Sequence, residues 1–157
     1  MRTALVEMTL AHLEALSVTP DDAVRFTVIP RPVFFEALKV AGGAAWSRTL
    51  LLDGTPLACW GLVQHWQGVA EAWCVPDIRV REHVAFFHRQ TRLWLEHQRQ
   101  ALGLWRVQAT VDAAQIEARR WATMLGFHME ARLEQYGPAQ QDFYLMAMVQ
   151  LADGTWV

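Results

Sequence analysis

From residue 46 onward, apolar runs and turn signals follow one another so closely that the local architecture has little choice. Residues 46–52 and 57–65 are rich in Trp, Leu and Val, and Asp53-Gly54-Thr55-Pro56 separates them. Asp-Gly readily takes the two positive-φ positions of a tight hairpin turn, so the two runs read as paired antiparallel strands. Gly68 marks a second turn, residues 69–75 form a third strand, and Pro76 ends it. A three-stranded meander therefore stands in the middle of the chain.

The flanks supply helices and further strands. Residues 3–8 read as a short first strand and residues 10–16 as one or two helical turns. Thr19-Pro20-Asp21-Asp22 is a helix start: a hydroxyl cap, Pro at the first helical position, and a carboxylate three residues after the cap. That helix ends before Pro30. Residues 32–40 form a second helix, stopped by Gly42-Gly43. After the meander, residues 80–102 read as the longest helix, with Val80, Val84, Phe87, Trp94, Leu95 and Leu102 on one apolar face and Gly103 as its cap. Residues 104–111 are a strand, 113–125 an amphipathic helix closed by Gly126, and 128–135 and 142–149 two final strands. Residues 150–157 are expected to be a loosely attached tail. The strand–helix–strand crossover set between antiparallel hairpins predicts an α/β fold, with a mixed sheet and helices on both faces.

Composition narrows the classes. The chain has 157 residues, 53% hydrophobic and 19% charged, which suits one compact domain over 1–157 and excludes a disordered chain. No run approaches the ~18–20 continuous apolar residues of a membrane span, and no secretory layout opens the sequence, so a soluble cytoplasmic protein is expected. The net charge is −2 and only Lys39 among the basic residues is Lys. Without a basic cluster, nucleic acid is not the expected partner. Cys59 and Cys74 sit in apolar strand-like runs and read as buried reduced thiols. His83 and His88 are five apart, which does not suit helical metal ligands, so no metal is expected. Ser17 and Ser47 lie in no nucleophile elbow.

The element order, together with residues 105–127, resembles the Gcn5-related N-acetyltransferase (GNAT) fold. The stretch Ala118-Arg119-Arg120-Trp121-Ala122-Thr123-Met124-Leu125-Gly126-Phe127 is similar to the family's penultimate helix with its Leu-Gly-Phe close. The resemblance implies a mostly antiparallel central sheet and, if the protein is active, acetyl-CoA as cofactor. Family members bind the pyrophosphate on exposed backbone N–H groups at the start of the long helix, in a loop of pattern Arg/Gln-x-x-Gly-x-Gly/Ala. Here the corresponding stretch runs from Val75 to Val84. Arg79 matches the basic position, with Arg81 and His83 beside it, but Glu82 and Val84 stand at the glycine positions. The cradle reads as broken. The position where many members carry an acid Tyr is Ala122, leaving Tyr144 or Tyr136 as substitutes.

Loss of the glycine loop and of the Tyr resembles one branch in particular, the GNAT-like virion-morphogenesis or internal-virion proteins of tailed bacteriophages. That likeness is carried by Asp53-Gly54-Thr55-Pro56-Leu57-Ala58, Trp73-x-Val75, the long helix and the Leu-Gly-Phe close. It implies a protein without a bound cofactor, in the host cytoplasm or the virion, acting through contacts with virion components or with itself. The eight Trp are more than one core readily uses, so the surplus, with Arg, suits a partner-binding face. The alternative is an active acyl-CoA N-acetyltransferase. In it Arg79 and the backbone of residues 81–84 hold the pyrophosphate, and His65 or Glu71 takes the proton from an acceptor amine. Arg79, Arg81, Arg89, Arg92 and Arg99 with Glu82 and Glu96 otherwise read as a solvated helix face.

Overall fold

A computed structural model describes residues 1–157, the side chain of Ala44 excepted. One mixed seven-stranded sheet carries the fold, in the order β1-β2-β3-β4-β5-β7-β6. The contacts divide the chain into two compact units, Met1–Val63 with Trp73–Phe87, and Gln64–Ala72 with His88–Val157.

In the first unit, β1 (Thr3–Glu7) pairs antiparallel with β2 (Arg48–Leu52), from Thr3↔Leu52 to Glu7↔Arg48. Three helices lie between them in sequence: α1 (Leu10–Ala15), α2 (Pro20–Val28) and α3 (Arg31–Ala41). Thr19 caps α2 as expected, its hydroxyl accepting from the Asp22 N–H at 3.2 Å. The Arg31 guanidinium, at the start of α3, donates to the carbonyls of Leu13, Glu14 and Leu16 at 2.7–3.0 Å, closing the C-terminal end of α1. β2 begins at Arg48 and not at residue 46, because Gly43–Ala45 wind into a 3₁₀ turn whose last helical angles belong to Trp46. Asp53 and Gly54 take φ of 50° and 80°, the tight turn that the sequence called for, and β3 (Thr55–Trp66) follows. The middle of β3 is buried on both faces, in keeping with its near-continuous apolar run. Met8, Leu13, Leu16, Leu38, Trp46, Cys59 and Val75 form the core here. Edge-to-face contacts Phe26–Phe34, Phe34–Trp73 and Phe35–Trp46, at 5.3–5.6 Å, tie the helices to the sheet.

In the second unit, the tip of the β3–β4 hairpin turns at Gly68, φ +84°. β4 (Val69–Pro76) starts there and runs parallel to β5 (Arg106–Asp112) over residues 69–71. β5 pairs antiparallel with β7 (Phe143–Val149) along its whole length, and β7 with β6 (His128–Leu133). α4 (Val84–Ala101) and α5 (Ile116–Leu125) supply the crossovers, each followed by a positive-φ glycine, Gly103 and Gly126. α5 starts three residues later than its amphipathic pattern suggests, since the Asp112 carboxylate captures the Ala114 N–H and holds a turn ahead of it.

Two further expectations change. The long helix does not start at residue 80. Ile78–Glu82 form a 3₁₀ turn, His83 leaves helical angles at φ −133°, and α4 proper begins at Val84, which is 49% exposed. The buried face of α4 is Phe87, Thr91, Trp94 and Leu95. The tail also folds back. Val149 and Val157 exchange both backbone hydrogen bonds, the Leu151 N–H donates to the Thr155 carbonyl, and the Trp156 ring packs 4.4 Å from the Arg99 guanidinium. Two aligned backbone pairs and a cation–π contact hold a segment that composition alone leaves unassigned.

Candidate functional site

The turn from β4 into α4 is organised by a buried carboxylate. Asp77 is 3% exposed and accepts from the Ser17 N–H at 2.8 Å, the Arg79 N–H at 3.0 Å and the Arg79 Nε at 2.8 Å. Burial by itself pushes its pKa up, but the Arg79 side chain and the two backbone donors outweigh burial and hold it below the ordinary carboxylate value. Arg79 then donates from Nη2 to the Pro56 carbonyl at 2.6 Å. Its guanidinium is a strut between the turn and the start of β3.

The same network spends the backbone donors of this segment. The Ile78 N–H goes to the Ser17 carbonyl, the Arg79 N–H to the Asp77 side chain, the Val80 N–H to the Asp77 carbonyl and the His83 N–H to the Val80 carbonyl. The i→i+3 bonds of the 3₁₀ turn engage Arg81 and Glu82, whereas the first N–H groups of α4, from Val84 on, have no partner inside the helix. Val75 is 1% exposed, packed in the core, while Arg81, Glu82 and Val84 face solvent and His83 is half-buried. A pyrophosphate cradle needs unused N–H groups at glycine-sized positions with a free cation beside them. This turn has a carboxylate and a branched side chain at those positions, and its arginine is committed.

A second cluster lies at the hairpin tip. His65, near the end of β3, and Glu71, early in β4, meet at 3.0 Å between Nε2 and Oε2, with side chains 34% and 28% exposed. The sequence offers them as alternatives, and cross-strand pairing makes them one unit. A histidine bonded to a carboxylate, both reachable from solvent, can accept a proton from an incoming amine. The indole of Trp66 lies 5.8 Å from the His65 ring.

Tyr144 stands apart from that pair. Glu71 pairs with Gln108 and Gln108 with Ala147, so Tyr144 is two strands across the sheet and three positions further along β7. Its ring is flanked by the guanidinium groups of Arg119 at 4.7 Å and Arg132 at 5.8 Å, the latter paired with Asp142. Tyr136 packs edge-on against Phe143 at 5.3 Å. Ala122, the position where a family Tyr is expected, is buried. Neither cysteine is disulfide-bonded, and burial pushes the Cys59 thiol up to about 11 and the Cys74 thiol further, so neither is a nucleophile at neutral pH. Among the described residues no three His, Cys, Asp or Glu side chains gather as metal ligands, and no helix is long and apolar enough to cross a membrane. Of the tryptophans, Trp46, Trp60 and Trp94 are buried, whereas Trp66 is 67% and Trp105 48% exposed.

Sequence reasoning passed over Asp77, the residue on which the β4–α4 turn depends. The local signal was present: an aspartate after Pro76 and two residues before Arg79, the layout of a side chain that caps a turn. Its partner Ser17 lies 60 residues earlier, beyond any local pattern.

No family model matches the chain, and no curated protein sequence matches it. Its fold has many solved counterparts. Ard1 from Thermoplasma volcanium superposes with a TM-score of 0.76 at 15% identity, covering 96% of this chain and 99% of that one. An acetyltransferase of the GNAT family from Bacillus anthracis gives 0.72 at 13% identity, with 95% of each chain covered. One from Streptococcus pneumoniae gives 0.65 at 14% identity, over 94% of this chain and 99% of that one. The likeness is one of fold: this chain has the mixed α/β GNAT fold.

Proposed function

We propose that this protein keeps the GNAT fold without the family's cofactor chemistry and acts through contacts with other proteins. The observation that supports this reading is the β4–α4 turn, where Asp77 and Arg79 lock the segment, the N–H groups of residues 78–83 are bonded within it or to Ser17, and Glu82 and Val84 stand at the glycine positions. The partner class implied by the sequence resemblance is a virion component of a tailed bacteriophage. Exposed Trp66 and Trp105 supply aromatic anchors of the kind that protein interfaces favour. Isothermal calorimetry with acetyl-CoA and CoA tests the reading. We expect no heat at millimolar cofactor; binding at micromolar affinity overturns it.

A second reading, an acyl-CoA-dependent N-acetyltransferase acting on an amine, is favoured by the His65–Glu71 pair. In it Glu71 orients His65, whose ring nitrogen takes the amine proton. Acetyl transfer to a panel of polyamines and N-terminal peptides, lost in His65→Ala with cofactor binding retained, supports this second reading. A panel with no transfer removes it.

A further inference from the structure

Two arginines of the first unit use their guanidinium groups very differently. Arg31 closes the end of α1 through three carbonyls. Arg25, on α2, makes one hydrogen bond among the described residues, from Nη1 to the Cys74 carbonyl at 3.4 Å, long for such a bond. Asp22, one turn earlier, attracts it without forming an ion pair, and one oxygen of that carboxylate is taken by the Thr19 hydroxyl at 3.1 Å. Burial outweighs Asp22 and pulls the Arg25 guanidinium below its ordinary pKa. A half-buried cation is left with most of its donors unspent. Aromatic rings stand around it. The guanidinium lies over the Phe34 ring at 5.7 Å, and Phe26 and Trp73 meet Phe34 edge-on at 5.4 and 5.6 Å. All three rings are half-buried, so the cluster is open to solvent. It holds a second unused donor, the Trp73 Nε1–H, which has no partner among the described residues.

We propose that Arg25 and these rings bind a small organic acid, its carboxylate on the guanidinium and its apolar body against Phe26, Phe34 and Trp73. The planar fork of an arginine matches the two oxygens of a carboxylate. The long bond to Cys74 gives way readily to a charged acceptor, which is the stronger partner. A singly charged ligand is favoured over inorganic phosphate for two reasons. Arg31, the other arginine beside Phe26, is already committed to α1, so one free cation faces the ligand. Asp22 repels any further negative charge brought to that cation. The rings select for an apolar body, since a bare acetate leaves them uncovered.

Neither the β4–α4 turn nor the His65–Glu71 pair contributes to this site, so the proposal stands whatever calorimetry with acetyl-CoA returns. Calorimetry of the full chain with phenylacetate as the probe tests it. Wild type should bind with a Kd on the order of 0.1–1 mM, and saturating phenylacetate should raise Tm. Phenylacetamide, which has the same body without the charge, and inorganic phosphate should each bind at least about tenfold more weakly. Arg25→Lys keeps the charge but loses the fork and should weaken phenylacetate about tenfold. Arg25→Met should abolish binding and leave the ligand-free Tm unchanged or raised, because an apolar side chain there carries no desolvation cost. A guanidinium serving only as a strut to Cys74 predicts the reverse, a lower Tm. Absence of phenylacetate binding to wild type, equal affinity for the amide or for phosphate, unchanged binding in Arg25→Met, or a fall in that variant's ligand-free Tm would each overturn the proposal.

Discussion

Asp77 shows how one buried charge can decide the use of a turn. Its carboxylate orders residues 77–79, recruits Ser17 from the far side of the sequence, and fixes Arg79 against Pro56. The arginine that resembles a phosphate ligand in the sequence is thereby occupied. Replacing a buried, fully bonded carboxylate leaves donors unmatched, so Asp77→Asn should cost about 1–3 kcal/mol in urea unfolding at pH 7. The pH dependence has a definite sign. The folded-state pKa lies below the unfolded one, so the stabilisation is complete above about pH 4 and is lost as pH falls through the folded value. The gap between wild type and Asp77→Asn should narrow as unfolding is repeated from pH 5 towards acid. A gap independent of pH would mean that the charge contributes nothing.

Among the elements, the β3–β4 hairpin is the most tightly specified. Gly68 has φ +84°, and a Cβ built on it would lie 2.3 Å from the Trp105 ring, which closes over the turn while the Trp105 N–H bonds the Gly68 carbonyl. Gly154 has a similar φ of +90° but open space around it. Gly154→Ala should therefore cost about 1 kcal/mol from backbone strain alone, and Gly68→Ala about 2–4 kcal/mol because the indole must also move. Equal losses in denaturant unfolding would remove the packing argument. Where α4 and α5 start later than the apolar pattern, a carboxylate bonded to nearby backbone lies ahead of the boundary. Asp112 delays α5 and Asp77 turns the expected first turn of α4 into 3₁₀. Apolar periodicity carries no information about either capture.

Across the whole molecule, the C-terminal segment is part of the folded unit. Residues 150–157 return along β7 and place Trp156 over Arg99, whose guanidinium also reaches the Met148 sulfur at 3.2 Å. Truncation after Val149 should lower Tm by about 3–8 °C, from a loss of about 1–2 kcal/mol, and Trp156→Ala should reproduce much of the drop. An unchanged Tm would leave the segment without a structural role. The order of elements along the chain, the hairpin at Asp53-Gly54, the Thr19 cap and the glycine stops at Gly103 and Gly126 were all legible in the sequence. They depend on neighbours a few residues away, where turn and cap preferences act. Tertiary structure alone decided that Arg79 is a strut, that His65 and Glu71 form one pair, that Tyr144 is held between Arg119 and Arg132, and that the tail is docked. The Arg79 strut, the Tyr144 clamp and the docked tail depend on partners that folding brings together across the chain, Ser17 and Asp77 being 60 residues apart, and the His65–Glu71 pair depends on the register of one hairpin; such meetings leave no period or motif in the sequence.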